Sequence, residues 1–176
     1  MHIHKSKEKQ KNFVTKFQHF MCTRCKICFI IMSEPIKRQT CAKGELDMLT
    51  WNELNEMICN CSRCALGQTR KHAVPGQGNH AAQILLVAEA PGSQEDVQGT
   101  PFVGPAGKVL DILLTSAGLS RKDVFITNIV KCHPPGNRDP KPEEQEACLQ
   151  YLRAETTLLH PPVIVCLGRI AAQKLI

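Results

Sequence analysis

The chain has 176 residues, of which 43% are hydrophobic, enough for one domain with a single core and too many for a mainly disordered chain. Its formal net charge is +6, but residues 1–43 carry ten Lys and Arg against two Asp and Glu, and residues 44–176 carry twelve against fourteen. The basic charge is therefore weak evidence for nucleic-acid binding, because the excess lies in a separable arm.

The arm, residues 1–43, has no sustained helical or strand period, and we predict that it is disordered or includes a mis-assigned start. Met32 is the natural start that we expect. The apolar run over residues 27–32 is too short for a membrane span or for the core of a secretory signal. Ten cysteines without an export signal indicate a reducing compartment, so we predict a cytoplasmic protein.

The first folded element is marked by a helix-capping pattern. Thr50 and Glu53 form a capping box, which predicts a helix that begins near Trp51. Short apolar runs then alternate with helical spacing. In chain order they predict a strand over 84–88, a helix over 106–117, a strand over 124–130, a helix from Pro142, a strand over 163–167 and a helix begun by Ile170.

This alternation predicts one α/β domain over residues 44–176, a three-layer α/β/α sandwich with a mainly parallel central sheet. In such folds the chemistry lies at the carboxyl ends of the strands. The loop after Ala88, the strand end at Asn128, and Gly168 after the third predicted strand should meet at that edge.

Four cysteines form two pairs that indicate a metal site. Cys61 and Cys64 follow the first helix, and Cys132 and Cys148 bracket a polar turn over residues 134–138. Thiolates are soft ligands, and four of them suit either a [4Fe-4S] cluster or a tetrahedral zinc ion. Spacing alone does not separate these two alternatives.

Several ordered motifs between residues 58 and 176 carry a family resemblance. They are Cys61-x2-Cys64, Glu89-Ala90-Pro91-Gly92, Pro101-Phe102-Val103-Gly104, Ile126-Thr127-Asn128 with Lys131-Cys132, Asn137-Arg138, Cys148 and Leu167-Gly168. In these motifs the chain resembles the family 4 uracil-DNA glycosylases, iron-sulfur enzymes of base excision repair. The resemblance implies a uracil-DNA glycosylase-like fold stabilised by a [4Fe-4S] cluster, with zinc as the alternative.

The implied activity is hydrolysis of the N-glycosidic bond of a flipped-out deoxyuridine, which releases uracil and leaves an abasic site. Such a reaction passes through a cationic, oxocarbenium-like sugar while negative charge gathers on the departing base. The resemblance gives the catalytic carboxylate to Glu89, with Glu95 and Asp96 as runners-up. Acidic residues in such a loop are also common as a solvated face or a helix cap.

The uracil pocket implied by the resemblance has three parts. Phe102 supplies a stacking ring, although a lone Phe near a helix start is often core. The Asn128 side chain accepts a hydrogen bond from uracil N3–H and donates one to O4. The Watson-Crick edge of cytosine has the opposite donor and acceptor pattern and does not satisfy this pairing. The alternative is a structural Asn that caps a turn. Ala88 and Ala90 contribute backbone groups.

Four residues are predicted to contact DNA phosphates: Gly104, Gly107, Lys131 and Arg138. The two glycines permit close backbone approach at a helix start, with turn geometry as the other explanation. The two cations would bind the backbone without reading sequence. The expected partner is uracil-containing DNA, and the sequence indicates no membrane and no obligate protein partner.

The resemblance also implies a His-Pro segment beyond the strand that ends at Leu167, and the chain ends at Ile176. We therefore expect the C-terminal part of the domain to be missing. This difference supports an alternative function, a metal-stabilised module that binds nucleic acid without glycosylase activity.

Overall fold

The computed structural model describes residues 29–32 and 49–176. Strands and helices alternate along most of this part of the chain. In chain order they are β1 (Phe29–Met32), α1 (Trp51–Cys59), α2 (Leu66–Thr69), β2 (Gln77–Gly78), β3 (Ile84–Ala88), α3 (Ser93–Gln98), α4 (Pro105–Ser116), β4 (Phe125–Asn128), α5 (Pro142–Leu159), β5 (Val163–Leu167) and α6 (Arg169–Leu175).

Among the described residues, the sheet has five strands in the order β1-β5-β3-β4-β2. Its three central strands are parallel, because β3 pairs with both β4 and β5 in that sense, and the two edge strands are antiparallel. This arrangement confirms the predicted, mainly parallel α/β sheet. The carboxyl ends of β3, β4 and β5 consequently lie along one edge.

Helices cover both faces of the sheet. Along β3, Leu85 and Val87 belong to one buried cluster and Ile84 and Leu86 to a second, because successive side chains of a strand point to opposite faces. The three layers follow from these two clusters. The first cluster contains Leu54 and Ile58 of α1 with Leu149 and Leu152 of α5, and the second contains Leu110 and Leu114 of α4.

The predicted capping box starts α1. The Thr50 N–H donates to Glu53 Oε2 at 2.7 Å, and the Glu53 N–H donates to Thr50 Oγ1 at 3.3 Å. Each bond satisfies a backbone donor that the first helical turn leaves without an intrahelical partner. The helix fixes the position from which the chain reaches the first cysteine pair.

Two helices differ from the sequence prediction by one residue. The helix expected over residues 106–117 spans Pro105–Ser116, and the one expected from Ile170 begins at Arg169. Gly118 follows the first of these with a φ of 73°, a conformation that suits glycine just beyond a helix end.

The strand expected over residues 124–130 is shorter, spanning Phe125–Asn128. The chain leaves the sheet after Asn128, and the Lys131 ammonium donates a hydrogen bond to the Thr127 hydroxyl at 2.5 Å. Apolar character continues past the end of the strand, so the sequence pattern overestimates its length.

Four residues of the predicted arm, 29–32, pair with β5 as an edge strand. The rest of the arm lies outside the described residues, so its limits and the expected start at Met32 stay predictions. Within the described part, no helix is both long and apolar enough to span a bilayer.

Candidate active site and cysteine centre

A cavity of about 370 Å³ opens at the carboxyl edge of the sheet. Its walls come from the ends of two parallel strands, the segment before α4 and the polar turn before α5. The lining includes Ala88, Glu89, Ala90, Phe102, Arg138 and Gly168. Predicted catalytic, stacking and backbone residues therefore meet in one cavity.

Glu89 is half-buried and directly follows the carboxyl end of β3. Burial raises the pKa of its carboxyl, the neighbouring Asp139 carboxyl raises it further, and the Arg169 guanidinium acts in the opposite direction. Arg169 Nη2 donates to Asp139 Oδ2 at 2.8 Å. Glu89 thus belongs to a three-residue charge cluster rather than standing alone in the cavity wall.

Phe102 is held in an unusual backbone conformation, with a φ of 56°. Arg121 Nη2 donates to the Phe102 carbonyl at 2.5 Å. A Cβ on Gly107 would lie 1.9 Å from that same carbonyl oxygen, so this position requires glycine. The backbone that presents the aromatic ring to the cavity is therefore fixed from two sides.

Asn128 lies at the end of β4, in register with Ala88 of β3. Its side chain is only 2% exposed, and its Oδ1 is the buried polar atom that lacks a hydrogen-bond partner among the described residues. A buried acceptor without a donor is costly, and native structures usually satisfy it. Asn128 is not in the cavity lining itself, but its strand neighbour Ala88 is.

The runner-up carboxylates have structural partners. Glu95 Oε1 accepts the Gly104 N–H at 2.7 Å, and both oxygens of Asp96 accept the Lys71 N–H. Both acidic side chains are buried in α3. Glu95 therefore holds the segment before α4, and Asp96 holds the segment that follows α2.

The phosphate contacts predicted for the two glycines need correction. The Gly104 N–H is taken by Glu95, and the Gly107 N–H donates to the Gly104 carbonyl at 2.9 Å. Neither amide is available to a phosphate. The close approach that Gly107 permits is to the Phe102 backbone.

The prediction for Lys131 also needs correction. This lysine is 1% exposed and forms a 2.7 Å ion pair with Glu155, which is equally buried. Its ammonium has three acceptors within the protein and no route to a phosphate. No local sequence pattern indicates this partner on α5.

Arg138 lines the cavity, and its contact with a phosphate stays a prediction. Its guanidinium binds Glu144 in a bidentate pair, with N–O distances of 2.8 and 2.7 Å. Arg138 Nη1 also donates to the Asp139 carbonyl at 3.0 Å, and the side chain remains 37% exposed.

The four predicted cysteine ligands line one compact cavity on another side of the molecule: Cys61, Cys64, Cys132 and Cys148. Arg70 Nη1 donates to the Cys132 sulfur at 3.0 Å, and the Lys131 backbone N–H donates to the Cys148 sulfur at 3.2 Å. Donors directed at sulfur favour the thiolate form.

Burial raises the pKa of the Cys148 thiol to about 12 and also raises that of Cys132. Without a metal, both thiols are neutral at neutral pH, so metal binding releases protons. Among the described residues, no three His, Cys, Asp or Glu side chains form a group that could hold a single metal ion. Four thiolates suit either a [4Fe-4S] cluster or a zinc ion, and these four cysteines are the residues that could hold either group.

Sequence reasoning missed Asp139 and Arg169 at the cavity and Arg70 at the cysteines. Arg169 directly follows Gly168 at the predicted carboxyl edge, and this position was a signal that could have identified it. The other two residues act through partners far away in the sequence.

The chain is similar in sequence to known proteins. The family model of the uracil DNA glycosylase superfamily matches residues 75–176. The type-4 uracil-DNA glycosylase of Archaeoglobus fulgidus is 52% identical over 126 residues, which are 72% of this chain and 63% of the relative. The type-4 enzyme of Saccharolobus solfataricus is 53% identical over 113 residues, 64% and 52% of the two chains.

A third relative is the type-4 uracil-DNA glycosylase of Thermotoga maritima, which is 46% identical over 128 residues, 70% of this chain and 67% of the relative. The chain thus spans between 52% and 67% of the length of these three relatives.

Proposed function

Because the chain belongs to the uracil DNA glycosylase superfamily, we propose that it acts as a uracil-DNA glycosylase of base excision repair. It would hydrolyse the N-glycosidic bond of a flipped-out deoxyuridine, release uracil and leave an abasic site. The substrate partner is uracil-containing DNA.

The observation that carries this proposal is the partnerless Oδ1 of Asn128 beside a cavity lined by Glu89 and Phe102. Uracil N3–H is a donor that would satisfy this acceptor, and the aromatic ring offers a face on which the base can stack. A single nucleotide outside the duplex can make both contacts.

Glu89 would carry the chemistry. Its ionised carboxylate would stabilise the cationic sugar or orient the attacking water, and partial burial strengthens the electrostatic effect. The partly exposed Arg138 side chain would bind a neighbouring phosphate.

The cofactor of the proposed enzyme is a [4Fe-4S] cluster, with zinc as the alternative. Cys61, Cys64, Cys132 and Cys148 would hold the cluster, which would join the start of α5 to the segment after α1. When bound, it supplies a structural cross-link. The chain has ten cysteines, a content that suits a reducing compartment, so the proposed location is the cytoplasm.

Oligonucleotide cleavage tests the proposed activity directly. The chain is incubated with single- and double-stranded oligonucleotides that contain one uracil, and abasic sites are then converted to strand breaks with alkali. We expect scission at uracil and none in matched thymine or cytosine oligonucleotides. DNA binding without scission would favour the non-catalytic binding module instead.

The charge cluster at Glu89 predicts a change in the pH profile. An Asp139→Asn variant removes the carboxyl that raises the Glu89 pKa and leaves Arg169, which lowers it. The Glu89 pKa should therefore fall, and because the ionised form is active, the acid limb of the single-turnover rate should move to lower pH. An unchanged limb, or one displaced to higher pH, would contradict this role; Glu56→Gln, an exposed site on α1, is the control.

A further inference from the structure

A fully buried ion pair stands between the two sites described above. Lys131 Nζ lies 2.7 Å from Glu155 Oε2, and each side chain is 1% exposed. The ammonium also donates to Thr127 Oγ1 at 2.5 Å and to the Asn128 carbonyl at 2.9 Å. All three of its donors are used.

The carboxylate of the pair is also well bonded. Glu155 accepts the Gly76 N–H at 3.0 Å through Oε1 and the Thr127 hydroxyl at 2.8 Å through Oε2. The network therefore ties the end of β4 to α5 and to the segment that leads into β2. It is closed, because every charged group in it has partners of opposite polarity.

Such a pair is poorly explained by stability alone. Removing two charges from water is expensive, and apolar residues of similar volume often stabilise a core equally well or better. What a saturated polar network adds is one defined geometry. We therefore expect the network to position a functional part of the molecule.

The contacts of Lys131 indicate which part of the molecule the network positions. The Lys131 side chain holds the Asn128 carbonyl, while its backbone N–H donates to the Cys148 sulfur. One residue thus links the base-recognising strand end to the cysteine centre. An amide side chain discriminates between two base edges only if its own backbone is held in place.

We propose that Lys131 and Glu155 are positioning residues that hold Asn128 for the discrimination of uracil from cytosine. This inference rests on the proposed function and adds to it the source of base specificity. Lys131 acts through Asn128 and does not itself touch the base.

The test measures base preference separately from catalysis. The probes are oligonucleotides with one 2′-fluoro-2′-deoxyuridine or one 2′-fluoro-2′-deoxycytidine, because the fluorine slows loss of the base. The double variant Lys131→Met/Glu155→Gln removes both charges and leaves neither buried alone. We expect the ratio of the two affinities to fall about tenfold, as for Asn128→Ala.

Non-additivity between Asn128→Ala and the double variant is a readout that a general structural role would not give. Adding Asn128→Ala to the double variant should cause no further loss of preference, because both changes remove the same interaction. Lys174→Met/Glu146→Gln removes a Lys–Glu pair of similar length, 2.8 Å, on the surface and is the matched control. Thr127→Val gives a second, uncharged test that should reduce the ratio in the same direction.

The outcomes distinguish failure of the positioning role from failure of the proposed function. If the wild-type chain prefers uracil, Asn128→Ala loses the preference, and neither the double variant nor Thr127→Val does, the positioning role is refuted. A fall in melting temperature or iron content with the ratio intact would refute it too. If the wild-type chain has no preference for uracil, the proposed function itself fails.

Discussion

Replacing Glu89 with Gln is expected to reduce the rate of uracil release by about 10²- to 10⁴-fold. The amide keeps the size of the side chain but cannot carry the negative charge that stabilises an oxocarbenium-like sugar or activates water. Single-turnover kinetics with enzyme in excess would measure this loss. Binding of the 2′-fluoro-2′-deoxyuridine oligonucleotide should change much less.

Glu95→Gln is the informative comparison, because Glu95 is a buried carboxylate in the same segment and binds the Gly104 N–H. A Gln oxygen can still accept that hydrogen bond, so we expect a far smaller effect on the rate. If Glu95→Gln were the more damaging change, the catalytic carboxylate would have to be reassigned. A Glu89→Gln variant with the wild-type rate would remove Glu89 from the chemistry altogether.

The second large effect is expected from Cys148→Ala. Loss of one of four thiolates should prevent stable cluster assembly, so the anaerobically purified variant should lose its brown colour and most of about four irons per chain. It should also lose several kcal/mol of stability, because metal binding is coupled to folding. Iron analysis, visible absorption and thermal unfolding would measure these changes.

Cys166→Ala is the matched control, since Cys166 is as deeply buried but lies in β5 and not in the cysteine cavity. It should keep its iron, because its sulfur is not among the four proposed ligands. Equal iron in both variants would contradict the proposed ligand set. A colourless wild-type protein that contains only zinc would identify zinc as the metal.

Local patterns in the sequence predicted much of the fold. The β3 and β5 strands occupy the residues expected, because buried parallel strands are short apolar runs. The edge strands were missed for a physical reason. β2 has two residues and pairs with β4, far along the chain, so its own sequence carries no period to detect.

Among the site residues too, contacts between distant parts of the chain were not predicted. Cys61 and Cys148 line one cavity as predicted, because the spacing of cysteine ligands can be recognised in the sequence without knowledge of the fold. Lys131 was misread as a phosphate contact, since its partner Glu155 lies 24 residues away on a helix. Such pairings depend on tertiary packing, which local periodicity does not encode.

The left-handed backbone at Phe102 has a thermodynamic consequence. A non-glycine residue in that region costs about 1–3 kcal/mol, and the surrounding structure must sustain it. Arg121 and the missing side chain at Gly107 do so before any ligand arrives. The proposed aromatic platform is therefore preorganised, and a base that stacks on it would lose little of its binding free energy to ordering the loop.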